Sequence, residues 1–455
     1  MWGDILKSKI KQDLIEEYVL LASVLKWAAL AVFIGLVVGF ITAWFIKIVN
    51  IGCHYTQRWK YYYLLMPIAF CLSSFIVKKL APDAEGHGTE KAIQAVNEKN
   101  GKMDIKVVPV KIVSTIVTII FGGSVGEEGP ATQIGAGIAS FFGGILKMNS
   151  IDKRRFAVCG IAAGFVGVFG APVGAAVFAC EVLYVGKFAY LSLFPSLIAS
   201  FVSYYVGRHM GTKPLIGYYI NMNAVNPNTG IALLKLIAFG IIIGILAVIF
   251  IRMVNYAEDF FKRLKIYAPL KGVIGGILIL ILMAVSGSHN FIGIGDNIIS
   301  TAVSGNAVGN FEFLYKMLAT SFTLGSGGSG GILTPMIYIG STAGSTWARL
   351  IHSSAAFYSA AGMAAFLAAC ANTPLAGMIM ALEMFGGKPG MYASVVCCIS
   401  YMIVGHKSIY PTQLMILGKT PSLNMDLNCE IGKVKNLTIK NKLIKKTVNK
   451  ITIHR

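Results

Sequence analysis

Two adjacent carboxylates, Glu127 and Glu128, stand in the middle of a glycine-broken stretch, GGSVGEEGPATQ (Gly122 to Gln133). Apolar runs flank it, VVPVKIVSTIVTIIF (Val107 to Phe121) and IGAGIASFFGGILKM (Ile134 to Met148), so the pair is expected at membrane depth. Ionisable groups there are costly, and those that persist tend to be functional. The glycines interrupt regular structure, and Pro130 suits the first turn of a helix, where a missing N–H costs nothing. A helix beginning here would aim its free N–H groups and the positive end of its dipole at an anion. Glu128 fills that place when no other anion does. An acid pair before Gly-Pro also opens helices in ordinary surface loops, and this stretch alone does not separate the two readings.

Three further residues have side chains suited to anion or proton chemistry. His87 lies between two glycines in EGHGTEKAIQAV (Glu85 to Val96), just before a helix-like run. A Gly-His-Gly turn there can present N–H groups inward, and a surface loop with an incidental histidine is the bland alternative. Glu181 ends the apolar, small-residue run CGIAAGFVGVFGAPVGAAVFACEVLYV (Cys159 to Val185), whose composition allows close helix packing in lipid. Tyr410, in VGHKSIYPTQL, precedes Pro411, where a short helix can begin and the phenol can donate to an anion. Taken alone, it reads as an interfacial aromatic.

A repeat separates these readings. FTLGSGGSGGILTPMIYIG (Phe322 to Gly340) again sets a glycine-rich break before a proline, and SAAGMAAFLAACANTPLAGMIMALEMFG (Ser359 to Gly386) repeats the small-residue run. Pro335 follows Pro130 by 205 positions, while Pro374 follows Pro172, and Glu383 follows Glu181, by 202. Two related halves, each with a broken helix, are expected of a transporter whose site lies at the bilayer midplane between them.

The elements needed to position such a site are membrane spans. The chain of 455 residues is 55% hydrophobic and 13% charged, with a mean hydropathy of +0.68. Those values lie outside the soluble globular range. Apolar runs near 19–49, 61–77, 107–121, 156–185, 231–252, 270–286 and 391–404 can cross a bilayer. Shorter ones suggest half-helices and re-entrant segments, tolerated where protein or a water-filled cavity satisfies the backbone.

Net charge is +20, with basic residues concentrated at both ends, so both termini are expected on the cytoplasmic face of the cell membrane. Residues 1–18 read as an amphipathic interfacial helix, residues 19–417 as the membrane domain with halves near 19–207 and 231–417, and residues 418–455 as a solvated basic tail that leans on anionic lipid. The eight cysteines show no metal-ligand or redox spacing and read as small buried hydrophobes.

Together these motifs resemble the CLC family of chloride channels and proton-coupled chloride exchangers over most of residues 20–415. GEEGP (Gly126 to Pro130) is similar to the family's G(K/R)EGP motif and GGILTP (Gly330 to Pro335) to its GxFxP motif. GHGTE (Gly86 to Glu90) resembles the GSGxP segment, and SIYPTQ (Ser408 to Gln413) the region of the pore tyrosine. The resemblance implies an all-α polytopic membrane protein with an inverted-repeat CLC-type fold, its broken and re-entrant helices meeting at the bilayer midplane, working as a homodimer. Carried over by position, Glu128 is the gating glutamate. The backbone of Ile332 and Leu333, with His87 and Tyr410, holds a central anion, and Gly86, Gly88, Gly126, Gly129 and Gly331 shape the helix starts along the anion path. Chloride, or another small anion, is the expected cargo, with protons as possible partners. No cofactor, metal, nucleic acid or paired nucleotide-sensing domain is expected.

Several positions depart from the family pattern. Glu127 replaces a lysine or arginine, which removes a positive charge beside the path unless another cation compensates. His87 stands where a serine is usual and can change charge near neutral pH. Leu333 replaces a phenylalanine. Val182 occupies the position at which exchangers carry an internal proton-transfer glutamate, which is the channel pattern. The first expectation is therefore a passive, voltage-dependent chloride channel gated by protonation of Glu128. The alternative is a proton-coupled chloride exchanger, an antiporter that passes its proton through water or His87. A membrane-embedded enzyme using Glu127, Glu128 and His87 is a third reading, weakened by the lack of ligand spacing such as HExxH.

Overall fold

The computed structural model describes residues 2–212, 230–434 and 438–440, with side-chain surroundings from residue 10 onward. The expected basic residues Lys7 and Lys9, and the tail beyond residue 440, lie outside the described side chains. Among the described residues sixteen α-helices carry the architecture, and six of them are long and apolar enough to cross a membrane.

The first eight are α1 (Trp2–Thr56), α2 (Met66–Leu80), α3 (Thr89–Asn97), α4 (Val107–Ile120), α5 (Glu128–Ile145), α6 (Ser150–Phe169), α7 (Pro172–Glu181) and α8 (Tyr190–His209). The second eight are α9 (Gly230–Arg263), α10 (Ala268–Ser286), α11 (Asp296–Val303), α12 (Glu312–Gly325), α13 (Leu333–Leu350), α14 (Ala355–Ala371), α15 (Pro374–Phe385) and α16 (Gly387–Val404). They follow the first eight in order and in type. Helices α12, α13 and α14 begin 205 residues after α4, α5 and α6, and α15 begins 202 after α7. Because α6 has 20 residues and α14 has 17, the three-residue change in offset is a shortening of one helix.

Local sequence sets most helix ends. Pro130 and Pro335 sit in the first turns of α5 and α13, and Pro172 and Pro374 open α7 and α15. The run 156–185, expected as one span, is broken at Gly170 and Ala171. Gly170 ends α6 with φ +65°, in the left-handed region that glycine adopts without cost.

Packing between neighbours is backbone-close. A Cβ on Gly135 of α5 would collide with the Gly160 carbonyl of α6, and one on Gly160 with the Gly135 carbonyl; Gly340 and Gly362 repeat the arrangement between α13 and α14. Small residues at a helix contact let two backbones approach where bulkier ones would hold them apart. The core is correspondingly rich in alanine along α6 and α14, with Phe165, Phe178, Phe239 and Phe366 filling the wider gaps.

Two segments differ from expectation. The helix that contains residues 2–18 continues without a break into the first span, as one helix of 55 residues. Of the tail expected to be solvated, residues 418–455, the described residues 418–434 and 438–440 fold back in part. Strand β1 (Tyr184–Val185) pairs in parallel with β2 (Leu414–Met415), and β2 pairs antiparallel with β4 (Cys429–Glu430). Strand β3 (Leu423–Asn424) pairs with β5 (Thr438–Ile439). The backbone groups of these short extended pieces are satisfied by one another, which ties the end of α7 to the chain that follows α16.

Candidate functional site

The two glycine breaks meet. Gly126 donates to the Gly331 carbonyl at 2.8 Å and Gly331 to that of Gly126 at 2.6 Å, an antiparallel bridge between the segments preceding α5 and α13. The starts of these helices are thereby brought together deep in the protein, with Gly129, Gly331 and the loop before α3 in backbone contact. A Cβ on Gly129 would collide with the His87 carbonyl, and one on Gly88, whose φ is +79°, with the Gly129 carbonyl. Only glycine fits at these positions, for want of space at the first and for both space and conformation at the second.

Glu128 is completely buried and is the first residue of α5. Its carboxylate turns across to the other half. The Thr334 backbone N–H donates to Oε2 at 3.3 Å, and the Thr334 hydroxyl donates to Oε1. The carboxylate thus occupies the N-terminus of α13, where unpaired N–H groups and the helix dipole favour a negative charge. Ile332, the N-cap of α13, and Leu333, its first residue, are both fully buried beside it. Thr334 was not among the residues singled out in the sequence. A hydroxyl within the GILTP helix start was the available signal, since short oxygen-bearing side chains are common where helices begin.

His87 and Tyr410 come together from distant parts of the chain, with ring centroids 5.5 Å apart. Both are buried. His87 Nδ1 has no hydrogen-bond partner, and the Tyr410 hydroxyl lies near Thr89 without a well-formed hydrogen bond. Unpaired buried donors are costly, and two of them converging here suit a polar guest. Tyr410 is held by its backbone N–H, which donates to Ser408 Oγ at 3.0 Å. Ser408 in turn donates to Gln413 Oε1, whose amide nitrogen donates to the carbonyls of Val182 and Ala371 at 2.7 Å each.

A pair of buried lysines braces the breaks. Lys111 on α4 donates to the carbonyls of Ala84 and Gly86, at 3.1 and 2.6 Å. Lys316 on α12, 205 positions later, donates to those of Phe291, Gly293 and Ile294, at 3.1, 2.7 and 3.2 Å. Each ammonium holds the loop that leads into a helix of its own half, α3 or α11. Lys316 is also within electrostatic reach of Glu128 and Asp296. Glu127 is the N-cap of α5 and only 5% exposed, and its Oε1 has no partner.

Glu181 and Glu383 have a shared explanation. Glu181, at the end of α7, accepts from the Leu375 and Ala376 N–H groups at the start of α15, at 3.0 and 2.8 Å. Glu383, near the end of α15, accepts from the Val173 and Gly174 N–H groups at the start of α7, at 3.0 and 2.7 Å. The two helices cap each other reciprocally, each acid satisfying N–H groups that its partner helix leaves free. Val182 follows Glu181, fully buried, and offers only its carbonyl to Gln413.

Comparison with known proteins adds a family context. Residues 69–405 match the family model described as voltage gated chloride channel. A chloride/fluoride channel protein of Pseudomonas syringae pv. tomato is 31% identical over 405 residues, covering 88% of each chain. An H(+)/Cl(-) exchange transporter ClcA of Citrobacter koseri is 29% identical over 454 residues, covering 90% of this chain and 91% of its own. Among solved structures, a CLC-type fluoride/proton antiporter superposes with a TM-score of 0.80 at 27% identity, covering 86% of this chain and 98% of its own. A slow cyanobacterial Cl-/H+ antiporter does so with a TM-score of 0.73 at 25% identity, covering 84% and 96%.

Proposed function

The chain belongs to the voltage gated chloride channel (CLC) family, and from that premise we propose that it is a proton-coupled exchanger of a small monovalent anion. The passive-channel reading drawn from Val182 is withdrawn. It rested on one position, and the relatives that are antiporters fit the exchanger alternative better. A valine there leaves the question of which other group carries the proton.

The observation that carries the reading is the placement of Glu128. Its carboxylate sits on the N-terminus of α13, beside Ile332 and Leu333, where an anion would be drawn by the same N–H groups. A carboxylate and a halide therefore compete for one place. When Glu128 takes a proton it loses its claim on the helix dipole and leaves the place to the anion; when an anion departs, the ionised side chain returns. Exchange follows because protonation and anion occupancy are linked through a single site.

The cargo we assign is chloride, with fluoride as the second candidate, since two relatives carry fluoride in their names. The protein acts in the cell membrane with both termini cytoplasmic, and as a homodimer, on the strength of the family resemblance and the basic ends. Purified protein in liposomes tests the transport reading. A chloride gradient should drive protons uphill, and Glu128→Gln should abolish proton movement while anion flux persists and loses its pH dependence. A reversal potential that follows the anion alone in the wild-type protein restores the channel reading. Parallel gradients of chloride and fluoride decide between the two anions.

A further inference from the structure

The segment leading into α3 lines a polar cavity of about 380 Å³, whose walls include Lys78, Glu85, Glu90, Lys91, Glu258 and Lys262. These residues come from the end of α2, the loop before α3, the start of α3 and the end of α9. Glu90 stands between this cavity and the interior. Its side chain is 22% exposed, and Oε2 lies 3.2 Å from Nε2 of His87, which is only 2% exposed. Beyond His87 lie Tyr410, which is in electrostatic reach of both Glu90 and Glu128, and Gly129, against which the His87 carbonyl is packed. A carboxylate, an imidazole and the Glu128 site are thus arranged in order from the cavity inward.

We propose that Glu90 is the inner proton carrier of this exchanger, loading protons from the cavity and passing them through His87 toward Glu128. It fills from α3 the role that Val182 cannot fill at the end of α7, and it rests on the exchanger reading given above. In the transfer, Glu90 takes a proton from cavity water and gives it to His87 Nε2. The imidazolium releases its Nδ1 proton into the anion site, where Glu128 or an intervening water accepts it. A tautomer exchange of the ring resets the relay. The buried Nδ1 without a partner is the atom from which such a proton must leave.

An acid in the first turn of a short helix also has a purely structural use, since it favours the helix dipole. What that use does not require is a second, buried titratable ring at hydrogen-bond distance. The charged groups facing Glu90 are Lys91 on its own helix, Glu258 and Lys262 on α9, and Glu430 on β4, while Lys111 on α4 and Lys91 face His87. Both signs surround the carboxylate, as suits a group that must alternate between charged and neutral forms.

Proteoliposomes in which anion efflux and chloride-driven proton uptake are followed together test the assignment. Wild-type protein must pump protons; if it does not, the exchanger reading itself has failed, and this inference falls with it. If it does, Glu90→Gln should leave anion efflux near the wild-type rate while proton uptake falls by about a hundredfold or more, the low end of what loss of a positioned proton-transfer group costs. Glu90→Asp, which keeps a titratable group, should recover part of the uptake. Unchanged coupling in Glu90→Gln overturns the proposal. So does a loss of anion efflux alongside proton uptake, or an equal loss in Glu90→Asp and Glu90→Gln, since either marks a structural role.

Discussion

Glu128 and Thr334 lie 206 positions apart in the chain, yet they pair, and on the exchanger reading proposed above that pairing sets how firmly the carboxylate holds the place an anion would take. A hydrogen bond to a charged group contributes roughly 1.5–3 kcal/mol, and each 1.4 kcal/mol shifts a two-state occupancy about tenfold. Thr334→Val removes the hydroxyl and keeps the volume, so the ionised carboxylate should hold the α13 start less tightly. At a pH where Glu128 is ionised, anion affinity by isothermal titration should therefore rise by about tenfold. In Glu128→Gln the same substitution should change it little. An equal gain in both backgrounds would mean that Thr334 acts on the anion directly.

Helix pairs α5 with α6 and α13 with α14 owe their spacing to glycines at matched positions, and the contrast between two glycines of one helix tests this. Gly135→Ala places a methyl against the Gly160 carbonyl and should cost on the order of 1–3 kcal/mol as overpacking, or more if the helices cannot separate. Gly144, near the exposed end of α5, has open space where a Cβ would go. There Gly144→Ala should be neutral or stabilising by up to about 0.5–1 kcal/mol, because alanine gives up less backbone freedom on folding. Thermal unfolding in detergent read by near-ultraviolet circular dichroism separates the two. A comparable loss at both positions would show that the glycines matter for something other than the helix contact.

At the scale of the whole molecule the inverted halves are joined at many points, among them the bridge of Gly126 and Gly331, the reciprocal caps of Glu181 and Glu383, and the chain that follows α16. In the last, Lys419 donates to Asn372 Oδ1 at 2.6 Å and to the Tyr401 carbonyl at 2.7 Å, with its ammonium 3.6 Å from the Tyr401 ring centroid. Burial, reinforced by Lys407, pushes the Lys419 ammonium down to about 6. His406, whose ring accepts from the Lys419 N–H at 3.1 Å, is also shifted down, by burial first and then by the two lysines. An undocked lysine keeps its ordinary high value, so between about 6 and 10.5 the free segment holds a proton that the docked one lacks. Docking therefore strengthens as pH rises through that window and weakens toward its lower end. Cleavage of the 418–440 segment by a protease of flat pH response should slow between about pH 6 and pH 8, and Lys419→Met should abolish that slope. A slope that survives the substitution assigns it to another group.

Much of this was legible in the chain itself. Landmark prolines and acids at offsets of 205 and 202 revealed the two halves, and glycine-broken stretches before Pro130 and Pro335 located both helix starts, because helix ends are set by local backbone chemistry. The contact of His87 with Glu90, three residues apart at a helix start, was within reach of the same local reasoning and was missed. Other features have no local cause. Nothing near Glu181 or Glu383 in sequence says that each caps the other's helix, nothing near Thr334 that it meets Glu128, and nothing near Lys419 that it docks on Asn372. Each of these joins backbone or side-chain groups left unpaired in one segment to complementary groups of another, so they are decided only when the helices fold against one another and exclude water from between them.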